Sequence, residues 1–516
     1  MTLRTFVLVA LCALAPAEGF SQALTSLQSL RVRYNTQKAT VQPAGALKTA
    51  LDDVDRQITE ASRAGQNGEV RRLIAKGMTL LRGGEWTETL DYTNSLVLRT
   101  EHTVGDSSQP ILMRLEQIYT PSLTLQHSVS AHARLYRPPS AATADPLAPP
   151  PSDALVRDLG AIDLVARDLR ESPRLFEIDA RGVADGTYLL VVDVTDGDRA
   201  LGSVRLTVYL RKGLNNTLAT LEEAAAHAPA AIKGDILFPV DRIKHINQGD
   251  LELRTFSPDR DLANAEAVAA AAKTGADPFA KKTGSFKRYY TLDAAHEVMP
   301  YHVYVPTTFT ASKRYPLIIA LHGLGATEDS FFDGYDKVLP ELAEKHGYIV
   351  AAPLGYRVDG GYGWGVGQPP ADPETRRAQD LSEQDVMRVL ALMREQYNID
   401  PSRIYLTGHS LGAIGTWKIA PKYPDIWAAI GTFAGSGAPD TLSRIPKMPQ
   451  FIVHGDDDRT VNVRGSRAMV AKAKELGIEY VYTEVPGGSH SSVVAPNLPG
   501  LFEFFDKHQK AATTTR

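Results

Sequence analysis

The feature that most restricts the fold of this chain is the segment Gly-His-Ser-Leu-Gly at positions 408–412. The residues before it, 403–407, include the β-branched and apolar side chains typical of a strand. The residues after it, up to Lys422, are mostly small or compatible with a helix. Glycines at both ends of the segment leave room for a strained backbone at Ser410. The segment therefore predicts a sharp strand-to-helix turn that exposes the serine hydroxyl, a nucleophile elbow.

Strands and helices alternate along the chain from residue 286 onward. The predicted strands cover 287–292, 301–305, 317–321, 348–352, 403–406, 428–432, 450–454 and 479–484, and the predicted helices cover 336–345, 382–397, 411–422, 464–476 and 498–507. This alternation indicates a mostly parallel sheet with helices on both faces, an α/β fold. In such a sheet, ligands bind beyond the carboxyl ends of the strands, so we expect catalytic groups in the loops that follow strands.

A hydroxyl, a carboxylate and an imidazole follow three of these strands, in the order Ser, Asp, His. Ser410 follows one strand, aspartates at 456, 457 and 458 follow a later one, and His490 follows the last. Histidine, whose ordinary pKa is about 6.5, can take the serine proton and return it to a leaving group. A carboxylate can orient the imidazole. The order is that of a catalytic triad built on such a sheet, and the spacing leaves all three aspartates open as the acid.

The negative oxygen that develops during attack on a carbonyl needs backbone N–H donors. We expect one donor at Leu411, directly after the serine, and another at Leu324, in a turn after a predicted strand. Phe331, Tyr362 and Trp364 lie in neighbouring loops and are candidate walls of an acyl pocket. The alternative for these three side chains is that they pack the loops.

Four short motifs together make residues 286–510 resemble an α/β-hydrolase serine esterase. They are Leu-His-Gly-Leu-Gly at 321–325, Gly-His-Ser-Leu-Gly at 408–412, His-Gly-Asp-Asp-Asp at 454–458 and Gly-Ser-His at 488–490. The region is similar to the secreted bacterial group that includes feruloyl esterases, acetyl-xylan esterases and polyhydroxybutyrate depolymerases. The resemblance implies that the triad is Ser410, Asp458 and His490, because the family pattern His-Gly-x-x-Asp places the acid at Asp458.

The resemblance also implies hydrolysis of carboxylic esters through an acyl-enzyme, with a short-chain or aromatic acyl group carried by a small molecule, a plant polysaccharide or a polyester. A serine peptidase of the prolyl-oligopeptidase kind shares this core, although such enzymes usually carry a propeller and the N-terminal half shows no blade-length repeat. A third hypothesis is a noncatalytic exported binding protein. The complete triad argues against it.

Other classes of function find no support in the sequence. The formal net charge is −4, and no segment carries a Lys/Arg-dense stripe, so nucleic acid is not expected as a partner. No metal-ligand spacing, phosphate loop or nucleotide fingerprint occurs, so neither a metal nor a cofactor is expected. The sequence makes no prediction of the oligomeric state.

The first 23 residues predict a secretory signal peptide. One early cation, Arg4, precedes an apolar run over 6–15, and small residues with candidate cleavage points after Ala17 and Ala23 follow it. The run is too short to span a bilayer, and it contains Cys12, the only cysteine. We therefore expect a secreted or periplasmic protein whose mature form has no thiol, a buried N-terminal helix being the alternative.

A chain of 516 residues is too long for one ordinary core, so several domains are expected. Helical spacing predicts a helical hairpin within 24–89, and Ala-rich segments predict a helical connector over 213–285. Residues 90–212 predict an immunoglobulin-like β-sandwich, because short alternating strands separated by turns occur there without helices. Those strands are predicted at 95–99, 111–115, 130–136, 187–194 and 202–210.

Overall fold

The computed structural model of this protein describes residues 27–125, 129–138, 149–164, 169–253 and 256–510. The predicted signal peptide and Cys12 lie outside the described residues. The described chain divides into two compact units. An N-terminal unit lies within 27–31, 43–217 and 242–257, and a C-terminal unit lies within 32–42, 218–241 and 258–510.

Four helices and eight strands come first along the described chain. The helices are α1 (Leu27–Val41), α2 (Gly45–Arg63), α3 (Asn67–Leu81) and α4 (Glu88–Ser95). The strands are β1 (Leu96–Thr100), β2 (Val104–Asp106), β3 (Ile111–Gln117), β4 (Val129–Tyr136), β5 (Leu155–Asp163), β6 (Arg174–Ile178), β7 (Gly186–Asp196) and β8 (Arg199–Arg211). The buried residues of α2, Leu51, Val54, Ile58 and Ala61, recur at helical intervals and form one apolar face.

The strands of the N-terminal unit form two sheets, in the orders β1-β3-β6 and β2-β8-β7-β4-β5. Buried and partly exposed residues alternate along β3 and β4, as expected for strands with one face turned to a core. Side chains of both sheets, such as Met113 of β3 and Leu190 of β7, belong to one apolar cluster. The immunoglobulin-like topology and the hairpin arrangement of the helices stay predictions.

The remaining elements follow β8. The strands are β9 (Gly284–Leu292), β10 (Glu297–Val305), β11 (Tyr315–Leu321), β12 (Ile349–Pro353), β13 (Ile399–His409), β14 (Ala429–Phe433), β15 (Gln450–Gly455) and β16 (Tyr480–Val485). The helices are α5 (Leu214–His227), α6 (Ala230–Gln248), α7 (Pro258–Lys273), α8 (Ser330–Asp333), α9 (Val338–His346), α10 (Pro373–Gln396), α11 (Leu411–Lys422), α12 (Arg464–Glu475) and α13 (Leu498–Lys507). None of these described helices, nor α1 to α4, combines the length and apolar composition needed to cross a bilayer.

The C-terminal unit is built on one mixed sheet in the order β16-β15-β14-β13-β11-β12-β10-β9. Neighbouring strands in the part of the sheet that runs β16-β15-β14-β13-β11-β12 pair in parallel. Strand β10 pairs antiparallel with both β12 and β9. All residues of β11, β14 and β15 are buried, as expected for parallel strands covered on both faces. Because β11, β13, β15 and β16 run in the same direction, the loops after them lie together at the carboxyl ends of the strands.

One helix begins earlier than its periodicity predicts. The sequence predicts it over 382–397, where apolar residues recur at helical intervals, whereas α10 begins at Pro373. Asp372 caps the helix by accepting the backbone N–H of Thr375 at 2.8 Å, and proline is favourable at a first helical position. Residues 373–377 are exposed and 378–380 are partly buried, so this part of the helix carries no apolar pattern from which to predict it.

Candidate active site

Ser410 stands between β13 and α11 with a strained backbone. Its φ of 57° and ψ of −117° are unusual for a residue with a side chain. A Cβ at position 412 would lie 1.9 Å from the carbonyl oxygen of Leu321, and a Cβ at position 408 would lie 2.3 Å from the backbone of Gly412. Both glycines of the motif are therefore required by close approaches of backbone to backbone, which hold the turn in this shape.

Three side chains from separate loops form a continuous hydrogen-bonded chain. Nε2 of His490 lies 2.8 Å from Oγ of Ser410, and Nδ1 of His490 lies 2.7 Å from Oδ2 of Asp458. An ionised carboxylate can only accept, so Nδ1–H of His490 donates to Asp458. Nε2 is then free to accept the Ser410 proton, which is the state that a general base requires.

The three aspartates that the sequence leaves open have different environments. The side chain of Asp458 is fully buried, and its Oδ1 accepts the backbone N–H groups of Thr460 and Val461 at 2.8 and 2.9 Å. Asp456 accepts the N–H of Gly487 at 2.6 Å, and Asp457 faces the solvent with Arg459. Of the three, it is the Asp458 carboxylate that faces His490.

The charge of Asp458 is stabilised by its hydrogen bonds. Burial by itself raises the pKa of this carboxyl, but hydrogen bonds from His454, His490 and the backbone of Val461 outweigh burial and hold the pKa well below its ordinary value. The carboxylate is therefore ionised at neutral pH and can stabilise an imidazolium at His490.

His454 also contacts Asp458, although the motifs of the sequence give it no role. Its Nε2 lies 3.2 Å from Oδ2 of Asp458 and 2.9 Å from the carbonyl oxygen of Val461, while its Nδ1 lies 2.7 Å from Oγ of Ser466. The side chain is fully buried. His454, the first residue of the motif at 454–458, thus holds Asp458, the last residue of the motif, in position. Their place in one short motif is a signal from which this contact could have been predicted.

His409 contacts the histidine loop through the backbone. Its Nε2–H donates to the carbonyl oxygen of His490 at 2.9 Å. Burial, followed by the nearby His490, lowers the pKa of His409 to about 4, so its ring is neutral at physiological pH. The residue directly before the serine therefore fastens the loop that carries His490.

The two predicted oxyanion donors belong to different segments, the start of α11 and the turn after β11. The N–H of Leu411 stands at the first position of α11, where a helix supplies no backbone acceptor. The N–H of Ser410 is engaged by the carbonyl of Phe433 at 2.9 Å. In the turn after β11, a Cβ at Gly323 would lie 3.3 Å from Cβ of Ser410, so the residue directly before Leu324 packs against the nucleophile. That Leu411 and Leu324 bind an oxyanion stays a prediction.

The three aromatic candidates each have a partner within the fold. Phe331 and Tyr362 are 1% exposed, and the hydroxyl of Tyr362 donates to the carbonyl of His322 at 3.1 Å. Trp364 is half-buried, and its Nε1–H donates to Asp380 at 2.7 Å. Packing thus accounts for the positions of Phe331 and Tyr362, and contact of any of the three with a substrate stays a prediction.

Part of this chain is similar in sequence to known esterases. Residues 294–474 match the family model described as putative esterase. A probable acetylxylan esterase A of Aspergillus flavus is 31% identical over 143 residues, which cover 28% of this chain and 43% of that protein. A feruloyl esterase B of Talaromyces stipitatus is 26% identical over 223 residues, which cover 43% of this chain and 53% of that protein. The chain thus spans about half or less of these curated relatives.

Solved structures of esterases are also similar to this chain. A CE1 ferulic acid esterase from Anaeromyces mucronatus is 21% identical with a TM-score of 0.36, and the match covers 43% of this chain and 90% of that one.

Proposed function

Because its C-terminal region belongs to the serine esterases of the α/β-hydrolase class, we propose that this protein is a carboxylesterase that works through an acyl-enzyme on Ser410. The observation that carries the proposal is the hydrogen-bonded chain from Ser410 through His490 to Asp458, in the loops at the carboxyl ends of the parallel strands. We place the catalytic domain at 286–510, after the helical segment, the immunoglobulin-like sandwich and the connector.

The proposed reaction has two halves. Oγ of Ser410 attacks the ester carbonyl while its proton passes to Nε2 of His490, and the N–H groups of Leu411 and Leu324 hold the oxyanion. His490 then gives the proton to the departing alcohol, leaving an acyl group on the serine. Water, deprotonated by His490, releases the acid and restores the hydroxyl.

The proposed substrate is an ester with a short-chain or aromatic acyl group, on a plant polysaccharide or a polyester. The names of the similar proteins, acetylxylan esterase and feruloyl esterase, support this class. Trp364, half-buried in a glycine-rich loop, supports an aromatic contact.

The decisive experiment compares wild type and Ser410→Ala on p-nitrophenyl esters from acetate to longer chains, on methyl ferulate and on a peptide amide. We expect ester hydrolysis by the wild type, a fall to a small residual rate in Ser410→Ala with little change in melting temperature, and normal rates in the control Ser312→Ala. Cleavage of the amide alone would indicate a peptidase, and no cleavage of any substrate would favour a binding protein.

We further propose secretion or transport to the periplasm, on the basis of the charged and apolar pattern of the first 23 residues. Expression of the full chain in a bacterium, followed by fractionation and N-terminal sequencing, tests this. A protein outside the cytoplasm that begins after Ala17 or Ala23 is the expected result. An intact Met1 on protein retained in the cytoplasm would contradict it.

A further inference from the structure

A second Ser-His-Asp relay exists in the C-terminal unit, apart from the triad at Ser410. Oγ of Ser285 lies 2.7 Å from Nε2 of His302, and Nδ1 of His302 lies 2.8 Å from Oδ1 of Asp329. Because an ionised carboxylate can only accept, Nδ1–H of His302 donates to Asp329. Nε2 then remains to accept the hydroxyl proton of Ser285, which is the protonation pattern found at Ser410.

The carboxylate of this relay has a second, charged partner. Nζ of Lys287 lies 2.9 Å from Oδ2 of Asp329. Burial by itself raises the pKa of Asp329, but the hydrogen bond from His302 and the charge of Lys287 outweigh it and hold the pKa well below its ordinary value. The orienting group is therefore an anion at neutral pH, as the relay requires.

The pairing of β9 with β10 produces this arrangement. Ser285 lies opposite Tyr304 and Lys287 opposite His302, so Ser285, Lys287 and His302 share one face of the sheet. The His302 ring is 6% exposed and stacks on Phe332, with centroids 3.9 Å apart and planes 7° apart. Its orientation toward Ser285 is thus fixed by packing, while Ser285 itself is exposed.

The relay opens onto a cavity of about 570 Å³. Ser285, His302 and Asp329 all line it. Its other lining residues include Phe279 and Phe286 and charged residues of both signs, among them Lys282 and Asp333. This volume lies within the range of small-molecule sites, and its mixture of aromatic and charged side chains suits a small, polar ester with an aromatic acyl group.

Backbone donors also lie along the outer side of β9, the strand that carries Ser285. The N–H of Tyr289 donates to Asp235 at 3.1 Å, and Pro300, opposite Tyr289 on β10, has no N–H. The pair Tyr289–Pro300 is therefore of the non-hydrogen-bonded kind, and such pairs alternate along an antiparallel ladder. The N–H groups of Lys287 and Ser285 accordingly point away from β10. Since β9 is the last strand of the described sheet, they point toward its open edge.

We propose that Ser285 is a second nucleophile, which accepts the acyl group of a small ester that enters this cavity. Oγ of Ser285 bonds to the carbonyl carbon, its proton passes to Nε2 of His302, and the N–H of Lys287 receives the oxyanion. The C–O bond to the alcohol then breaks, and the alcohol leaves with the proton from His302. Water, deprotonated by His302, then attacks the acyl carbon. The acid leaves, and Oγ of Ser285 takes the proton back from His302. Acylation is slower here than at Ser410, because Ser285 lies in a regular strand rather than at a strained turn before a helix.

The test uses the full-length Ser410→Ala protein, so that the principal nucleophile is absent, and an alkyl fluorophosphonate as the probe. Intact-mass measurement and peptide mapping should find one adduct per chain, located on Ser285. The adduct should disappear in Ser410→Ala/Ser285→Ala and should form at least tenfold more slowly in Ser410→Ala/His302→Gln. Ser312, an exposed serine of the same unit, serves as the internal control and should stay unmodified.

The result does not depend on the proposed esterase function, because Ser410 is removed from the outset. Absence of an adduct on Ser285 after prolonged incubation of Ser410→Ala with a large excess of the probe would overturn the proposal, whether or not Ser410 of the wild type is labelled. Equal modification of Ser285 and Ser312 would overturn it as well, since it would show ordinary serine reactivity. Circular dichroism checks the fold of the His302 variant, and Asp329→Asn replaces it if that variant is unfolded, with the same slowing expected.

Discussion

The hydroxyl of Tyr335 donates a hydrogen bond of 2.8 Å to Nδ1 of His409. Through Nε2 of the same ring, the contact extends to the backbone carbonyl of His490. Tyr335 belongs to a segment in which three consecutive residues with side chains, 335, 336 and 337, have φ values of 47°, 57° and 58°. Such left-handed conformations are costly for residues other than glycine and persist where the surrounding structure holds them. A strained segment thus supplies the tyrosine that positions the histidine loop.

Tyr335→Phe should weaken catalysis without abolishing it. The variant keeps the ring but removes the donor to Nδ1 of His409, and leaving a buried acceptor unsatisfied costs about 1–3 kcal/mol. We expect a fall in kcat of about tenfold with a smaller change in KM, since about 1.4 kcal/mol of lost transition-state stabilisation corresponds to tenfold in rate. Steady-state kinetics on a p-nitrophenyl ester measure both constants.

The matched control for that variant is Tyr482→Phe, which removes a hydroxyl bonded to Glu484 at 2.6 Å on β16. It should leave kcat unchanged. Equal losses in the two variants would show that Tyr335 has no specific role in positioning His490.

Asp458→Asn should be far more damaging than Asp456→Asn. An amide nitrogen facing Nδ1 of His490 cannot accept its proton, so the imidazole is held in the wrong tautomer, with an expected loss in kcat of about ten-thousand-fold. Asp456→Asn removes the charge of a side chain that accepts the N–H of Gly487, but the amide oxygen of asparagine can still accept that N–H. The kcat of this variant should therefore change less than about tenfold. Kinetic constants of both purified variants decide the assignment, and the reverse ranking would move the acid to Asp456.

Acid should destabilise the C-terminal unit through His409. The folded protein holds the pKa of this ring at about 4, below the value of about 6.5 in an unfolded chain. Below pH 6.5 the unfolded state therefore binds more protons, and the stability that His409 contributes is lost as pH falls from about 6.5 to about 4. The full effect is about 3 kcal/mol at this pKa difference.

Thermal unfolding of wild type and His409→Gln at pH 7.5 and pH 4.5 isolates that contribution. The stability gap between the two proteins should shrink at the lower pH. Burial raises the pKa of Asp235 and of Asp385 to about 6, so these carboxyls favour the folded state in acid, but they are common to both proteins and cancel in the comparison. A gap that is constant with pH would contradict the assignment of a neutral, buried His409.

Asp235→Ala should destabilise the C-terminal unit by about 3–5 kcal/mol, because it leaves a buried cation without its partner. The side chains of Asp235 and Arg288 are 1% and 5% exposed, and Arg288 contacts the carboxylate from both Nε and Nη2 at 3.1 Å. Chemical denaturation gives the free energy of unfolding. Arg459→Ala, which breaks the exposed pair with Asp457, should change it by less than about 1 kcal/mol. Comparable losses of unfolding free energy in the two variants would show that the buried Asp235–Arg288 pair stabilises the fold no more than the exposed pair does.

Much of the C-terminal fold follows from patterns that are local in the sequence. The elbow at Ser410 is encoded within a few residues, and short apolar strands alternating with amphipathic helices indicate a parallel sheet. Apolar periodicity does not reveal the start of α10, because residues 373–377 are exposed. The strands around Met113 and Leu190 were predicted from period-two patterns, but which strands pair across the N-terminal sheets depends on contacts between distant segments.

The sequence by itself determined the nucleophile candidate Ser410 and the base candidate His490, because a strained turn and a loop after a strand have local signatures. Only the tertiary structure decided that the carboxylate of Asp458 faces His490, since Asp456 and Asp457 differ from it only in the direction that the loop gives their side chains. Tyr335 lies 74 residues from His409, and Ser285, His302 and Asp329 meet through strand register and a distant loop. Contacts of this kind depend on the packed positions of segments far apart in the chain, which no local pattern encodes.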